Sequence, residues 1–264
     1  MRIPLYQVDA FTSQPFAGNP AAVCPLPKWL DDDTLHKVAT ENNLSETAYF
    51  VPRGDLYDLR WFSPRCEVEL CGHATLASAY VLLNILRPEL RKVRFETRFS
   101  GALTVQKEGH RFAMDFPAIR PEACLNPPNT LARGLGSALA PIEILEANRN
   151  YIAVYQTRDP IRTLRPDFEL LEQLHPFGVI VTAPDDEVDF VSRYFAPSYG
   201  VPEDPVTGAA HCVLAPYWAH RLHKTSLHAL QLSERGGEIW CEVAGDRVIL
   251  RGNAVLTMQA TLQI

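Results

Sequence analysis

Little in this chain points to a membrane, a metal or a nucleotide. No apolar run reaches the roughly 18 residues needed to span a bilayer. The opening Met1-Arg2-Ile3-Pro4-Leu5 passes straight into a strand-like pattern, without the apolar core of a signal peptide. The six cysteines, Cys24, Cys66, Cys71, Cys124, Cys212 and Cys241, are scattered and form no C-x-x-C pair. That argues against a zinc site or a disulfide framework and for reduced thiols in a cytoplasmic protein. There is no G-x-G-x-x-G after a strand, no P-loop and no H-E-x-x-H. His220 and His223 could share a helix face, but with Arg221 and Lys224 beside them they read as a solvated helix end rather than metal ligands. A net charge of −6 with no basic stripe weighs against nucleic acid. The expectation is no metal, no cofactor, no nucleic acid and no membrane.

What is present is an ordinary globular composition, 47% apolar and 21% charged over 264 residues. That length permits one large domain or two of about 130 residues, each able to bury a core. The chain also repeats itself. Arg60-Trp61-Phe62-Ser63-Pro64 is echoed by Arg193-Tyr194-Phe195-Ala196-Pro197. After each proline come a turn, a glycine and a small-residue helix, starting at Gly72-His73-Ala74 and at Gly208-Ala209-Ala210, with three more residues in the second turn. The spacing from Gly72 to Gly208 recurs between Gly101 and Gly237, Gly109 and Gly245, and Arg111 and Arg247. Alternating segments bounded by these glycines read as antiparallel strands in hairpins.

Each half therefore reads as strands, one helix, then more strands. Both helices are apolar or small on almost every face, so each is expected to be buried all round within a curled sheet. The proline-rich stretch Pro117–Pro128 is the natural linker, which gives domains at 1–117 and 118–264, with the C-terminal strand a candidate to complete the first. Another helix is predicted over Asp31–Asn42, the acidic run serving its N-terminus. Glycine at a helix start either permits tight packing or leaves backbone N–H groups open to an anion such as a carboxylate. Near these starts sit Glu46, His73 and Asp204. Singly, each has an ordinary alternative: a solvated acid, a helix cap, a turn former.

Together these residues carry a resemblance. Val8-Asp9-Ala10-Phe11-Thr12 and Pro15-Phe16-Ala17-Gly18-Asn19-Pro20 resemble the opening of the PhzF family of phenazine-biosynthesis isomerases and their relatives. Leu44-Ser45-Glu46-Thr47-Ala48 is similar to that family's catalytic segment, and Cys71-Gly72-His73-Ala74-Thr75 and Glu203-Asp204-Pro205-Val206-Thr207-Gly208 to its two helix starts. The likeness runs from residue 3 to the C-terminus. It implies an α+β, diaminopimelate-epimerase-like fold of two pseudo-symmetric domains, each a curled antiparallel sheet or barrel around a central helix, with the site in the cleft between them. It implies Glu46 as the acid/base that moves a proton between carbons, with His73 and Asp204 assisting. It also implies Asn19, Ser45, Gly72, Ala74, Gly208 and Ala209 as contacts to a small anionic substrate. Members are commonly homodimers.

Two departures qualify the likeness. Racemases of this fold use a cysteine at each helix start; here Cys71 holds the first, and counting back from Thr207-Gly208 puts its partner at Pro205, which is neither acid nor base. Cys71 then reads as a packed thiol or a bystander. The phenazine enzyme is similar to Thr-Gly-Ser-Ala at the second start, whereas this chain has Thr207-Gly208-Ala209-Ala210 and lacks one hydroxyl. The expected function is a cofactor-independent isomerase working on a small carboxylate-bearing metabolite. The alternatives are an amino-acid racemase or epimerase, and a non-catalytic protein that binds a small acid or a partner.

Overall fold

The structure, a computed structural model, describes residues 1–264. The chain forms two compact units: Met1–Asp115 with Arg251–Ile264, and Phe116–Leu250. The C-terminal segment joins the first unit because Ala254–Gln263 pairs antiparallel along the whole of the first strand, from Arg2 opposite Gln263 to Ala10 opposite Ala254.

The first unit runs β1 (Arg2–Ala10), β2 (Asn19–Pro25), α1 (Asp32–Asn42), β3 (Glu46–Arg53), β4 (Leu56–Phe62), β5 (Glu67–Val68), α2 (Gly72–Tyr80), β6 (Lys92–Thr97), β7 (Ala102–Glu108) and β8 (Arg111–Pro117). A π-helical turn, Val81–Leu86, prolongs α2. Gly18, at φ +65, sets the start of β2: a Cβ there would lie 2.2 Å from the Ala10 carbonyl oxygen. Asp31 caps α1 by accepting the Thr34 N–H at 2.9 Å, which is the role the acidic run suggested.

Every residue of α2 from His73 to Ala79 is buried. The helix packs against β1, β2, β3, β7 and the C-terminal strand, so the sheet curls around it. Its alanines allow the strands to approach closely. Its two aliphatic hydroxyls are satisfied locally: Thr75 donates to the Cys71 carbonyl at 2.6 Å and Ser78 to the Ala74 carbonyl at 2.7 Å.

The second unit runs β9 (Glu122–Ala123), α3 (Asn129–Leu135), β10 (Glu143–Ala147), β11 (Asn150–Val154), α4 (Arg158–Thr163), α5 (Phe168–Glu172), β12 (Gly178–Pro184), β13 (Phe190–Ala196), β14 (Val201–Asp204), α6 (Gly208–Leu222), β15 (Ser226–Gln231), β16 (Gly237–Ala244) and β17 (Arg247–Gly252); the C-terminal strand is β18. The proline-rich stretch is not a loose linker. The Ala118 N–H donates to Asp246 O at 2.8 Å, the Ile119 N–H to Cys212 O at 3.0 Å, and β9 pairs with β10.

The repeat holds at the level of strand pairing. In the first unit β1/β2, β3/β4, β4/β5 and β6/β7 are antiparallel, while β2/β3 and β4/β6 are parallel. In the second, β10/β11, β12/β13, β13/β14 and β15/β16 are antiparallel, while β11/β12 and β13/β15 are parallel. The parallel joints modify the purely antiparallel sheet expected from the sequence. Each occurs where a helix carries the chain back to the end of the sheet at which the previous strand began, and such a crossover makes neighbouring strands parallel.

The repeated Arg-x-Phe has the same job in both units. The Arg60 guanidinium forks onto Glu67 at 2.6 and 2.8 Å and lies 5.0 Å from the centre of the Phe62 ring. Arg193 forks onto Glu203 at 2.7 and 2.9 Å and lies 4.9 Å from the Phe195 ring. Each fork ties a long strand to the short strand that leads into the next helix.

Two outcomes follow for stability. Lysine cannot reproduce a bidentate fork stacked on an aromatic face, so Arg60→Lys and Arg193→Lys are each expected to cost about 1–2 kcal/mol in urea unfolding; a cost at only one site would break the equivalence. The second concerns His211, which is fully buried and donates from Nδ1 to the Thr207 carbonyl at 2.8 Å. Burial pushes its pKa down to about 4, only partly opposed by the Thr207 carbonyl. The unfolded imidazole titrates near 6.5, so between about 6.5 and 4 the unfolded chain binds the extra proton, and this group erodes stability as pH falls. His211→Gln keeps the donor and loses the titration. The stability gap between wild type and variant should be flat above neutrality and shift against wild type by about 3 kcal/mol on going down to pH about 4; parallel curves in stepped-pH urea denaturation would exclude this.

Candidate active site

In the first unit the structure brings together the start of β3 and the start of α2. Glu46 is the first residue of β3 and stands opposite Ala21 in the parallel register with β2. His73 is the second residue of α2. The Glu46 Oε2 and His73 Nε2 atoms are 3.2 Å apart, with 16% and 7% of the two side chains exposed. Cys71 Sγ lies against the same ring, 3.5 Å from His73 Nδ1 and 3.9 Å from Nε2. Cys71 is therefore a neighbour of the ring rather than a bystander; Glu46, 25 positions earlier in the chain, meets the same ring, a grouping that the resemblance implied for Glu46 and His73 and that no local spacing showed.

The electrostatics follow from burial and these contacts. Burial, with the Glu46 carboxylate adding to it, pushes the Cys71 thiol up to about 11. For His73, burial favours the neutral ring, but Cys71 and Glu46 oppose it and the balance lies well above the ordinary imidazole value. Because the thiol is neutral near pH 7, the carboxylate is the partner that holds the proton on His73 there.

The helix start itself has no side-chain cap and no acidic residue in its first turn; Cys71, at φ −140 and ψ 108, is its N-cap. Those first N–H groups and the helix dipole favour an anion. Gly72 is half-buried. Ala74 is fully buried in the first turn of the helix. Ser45 is half-buried in the turn between Asn43, the left-handed C-cap of α1, and β3. Asn19 is fully buried as the first residue of β2, opposite Ala10. Asp9, buried on β1, accepts the Phe16 N–H at 2.8 Å and so holds the loop that leads to Asn19.

The second unit repeats the arrangement with different chemistry. Asp204 ends β14, half-buried, and its Oδ2 accepts a 2.5 Å hydrogen bond from the Thr207 hydroxyl. Thr207 is the N-cap of α6, extended and without a side-chain cap bond, as Cys71 is of α2. The counterpart of Cys71 is therefore Thr207 and not Pro205, whose carbonyl accepts from Ser233. The count from the sequence slipped in the turn that carries the extra residues. The chemical conclusion survives, because a threonine hydroxyl is no more a thiol than a proline is. Gly208 is buried and Ala209 exposed at the start of α6. Gln231, which sequence reasoning missed, ties the group together: its Nε2 donates to the Asp204 carbonyl at 2.7 Å and to Thr207 Oγ1 at 3.2 Å, and its Oε1 accepts the Thr207 N–H at 2.9 Å. It lies on β15, after the whole of α6, so no local pattern links it to Asp204.

The comparisons agree with this architecture. The chain matches the family model of the phenazine biosynthesis-like protein, PhzC-PhzF, over residues 8–260. It is 52% identical to an uncharacterized isomerase of Pseudomonas aeruginosa, with both chains covered in full. It is 38% identical to a phenazine biosynthesis-like domain-containing protein of Bos taurus, over 99% of each. A solved PhzF-family structure from Enterococcus faecalis superposes with a TM-score of 0.95 at 43% identity, over 100% of both chains. A hydroxyproline epimerase of Agrobacterium vitis shares the fold alone, with a TM-score of 0.65 at 13% identity over 99% and 92% of the two chains. The fold is the α+β, diaminopimelate-epimerase-like one. The two units, their common pairing order and a family match that takes in nearly the whole sequence establish that the chain belongs to the phenazine biosynthesis-like, PhzC-PhzF, family.

Proposed function

We propose that this chain is a cofactor-independent isomerase that moves a proton within a small carboxylate-bearing metabolite, with Glu46 as the shuttle. The observation that carries the reading is the 3.2 Å contact between Glu46 and His73 at the uncapped start of a buried helix. The naming of the Pseudomonas aeruginosa relative as an isomerase supports the reaction class.

The chemistry follows from the parts. A substrate carboxylate is held by the N–H groups at Gly72, His73 and Ala74, where the helix dipole favours negative charge. Glu46 takes a proton from carbon; the C–H electrons pass into the adjacent unsaturated system, and the double bond moves as the same carboxylic acid returns the proton to another carbon. No electron is gained or lost overall. A protonated His73 beside Glu46 orients the carboxylate and stabilises the charge that develops. Asp204, fixed by Thr207 and Gln231 in its own unit, is assigned to orienting the substrate.

The racemase alternative is weakened by Thr207, since two-base exchange between thiols needs a cysteine at both starts. A protein that only binds a small acid differs in its response to mutation.

The deciding measurement is incubation with a panel of small unsaturated and α-substituted acids in D2O, read by mass spectrometry. Wild type should introduce deuterium at carbon into at least one acid. Glu46→Gln should lower that incorporation by at least about 100-fold while the circular dichroism spectrum is unchanged. Unaltered ligand affinity in Glu46→Gln, with no label entering any acid in wild type, would favour the binding protein instead. Asp204→Asn should act mainly on KM, by about 10-fold. A loss confined to kcat would move Asp204 from orientation into the proton transfer itself.

A further inference from the structure

A cavity of about 490 Å³ lies within the first unit, lined in part by the π-helical turn that prolongs α2. We propose that it binds a small phosphate monoester, one per chain, with the phosphate group between Arg91 and Lys107. The inference goes beyond the isomerase reading and does not rest on it, since none of its residues belongs to the group at the start of α2.

The arrangement of charge carries the inference. The Lys107 N–H donates to the Arg91 carbonyl at 2.8 Å, one step beyond the Lys92–Gln106 pair of β6 and β7, so the two cations stand directly opposite each other. Like charges in that position destabilise a sheet. Nothing in the chain neutralises them. Lys107 is half-buried, and its Nζ donates to a neutral amide, Asn84 Oδ1, at 2.5 Å; no carboxylate reaches it or Arg91. The acids next along the chain are already taken: Glu108 pairs with Arg251 at 2.8 Å and Glu89 with Arg87 at 2.5 Å. Arg91, Lys107 and His110 all line the cavity, and no Asp or Glu does. In a chain of net charge −6 this is a local reversal of sign, and an anion between the two cations relieves their repulsion.

The rest of the lining selects the anion. A phosphate monoester carries roughly −1.5 to −2 charges at pH 7 and three strong acceptor oxygens, so a single group can face both cations at once. A carboxylate brings one charge and two oxygens. Ser13 and Tyr80 supply hydroxyl donors to the same cavity. A phosphate group alone leaves most of the space unfilled, and the Tyr80 ring with Ala254 and Val255 offers apolar surface to an organic part, which favours the ester over free phosphate. The backbone is specialised here as well. The Arg87 N–H reaches back five residues to the Leu82 carbonyl at 2.7 Å, and the widened turn carries Asn84, the residue that holds Lys107. Such π-helical turns are rare and occur frequently at functional sites.

The test is titration of the full, 15N-labelled chain near neutral pH and at low salt with phenyl phosphate, inorganic phosphate and benzoate, followed by amide chemical shifts. Phenyl phosphate should shift the Gly109 and His110 amides saturably, with a Kd below about 1 mM and at least about tenfold tighter than either of the other two probes. Lys107→Met, which keeps the apolar stem and removes the charge, and Arg91→Gln should each weaken phenyl phosphate by at least about tenfold. Lys37→Gln, at an exposed lysine of α1 outside the cavity, should change nothing. The proposal is overturned if phenyl phosphate produces no saturable shift up to about 10 mM, if it shifts only residues 71–75 at the start of α2, or if both variants bind it as tightly as wild type. Benzoate or inorganic phosphate binding as tightly as phenyl phosphate would overturn the ligand class. Arg91 is exposed, so Arg91→Gln decides the matter should Lys107→Met fail to fold.

Discussion

The structure of the first unit depends on one constraint: α2 has no polar face, so it must be covered on every side. A single flat sheet covers one side of a helix. Covering all sides requires the strands to curl, and that brings β1 and the C-terminal strand on one flank and β7 on the other into contact with the same helix. A helix enclosed along its length can meet a ligand only at an end. At its start the backbone offers N–H groups that no side chain caps. The chemistry of the site is then limited to what can stand beside that start: the N-cap residue, the first turn, and a strand that begins there. Cys71, His73 and Glu46 fill these three places.

Much of this was legible in the sequence because it is periodic or local. The apolar helix after Gly72 declared its own burial, and the Asp31 cap was a short-range pattern. The duplication was visible because the Arg-x-Phe and glycine anchors recur, and the structure gives a reason for the first: in each unit the arginine forks onto the glutamate of the strand that enters the helix. The illegible parts are long-range. Parallel joints depend on the direction in which a helix returns the chain, and the alternation of a single strand does not encode direction. Gln231 acts on Asp204 from across α6. Pro205 was mistaken for the counterpart of Cys71 because counting fails across an insertion, whereas cap geometry identifies Thr207 at once. The proline-rich stretch looked like a linker because proline disfavours regular structure, yet Ala118 and Ile119 still find backbone partners.

The electrostatics of the trio follow from order of ionisation. Burial keeps the Cys71 thiol protonated up to about 11, so near neutrality the charged neighbours are His73 and Glu46. A carboxylate and an imidazolium 3.2 Å apart in a half-buried place stabilise each other, and removing either leaves the other charge short of a partner. A base that works on carbon must be able to take up a proton without a large cost.

The duplication makes the remaining asymmetry informative. Both helix starts are uncapped and both carry an extended N-cap residue, but one is surrounded by groups that ionise and the other by groups held in a hydrogen-bond network. In the second unit Thr207 gives its hydroxyl proton to Asp204, and Gln231 uses both ends of its amide on the same pair. Such a network fixes orientation, because moving any member strands the others. It is poorly suited to exchanging protons with a substrate, since a threonine hydroxyl does not ionise near neutrality. A duplicated fold that keeps two reactive thiols can take a proton on one side and return one on the other, inverting a centre. Titratable groups stand at the start of α2 and a hydrogen-bond network at the start of α6, so the chain does not carry the thiol at both starts that two-thiol inversion requires.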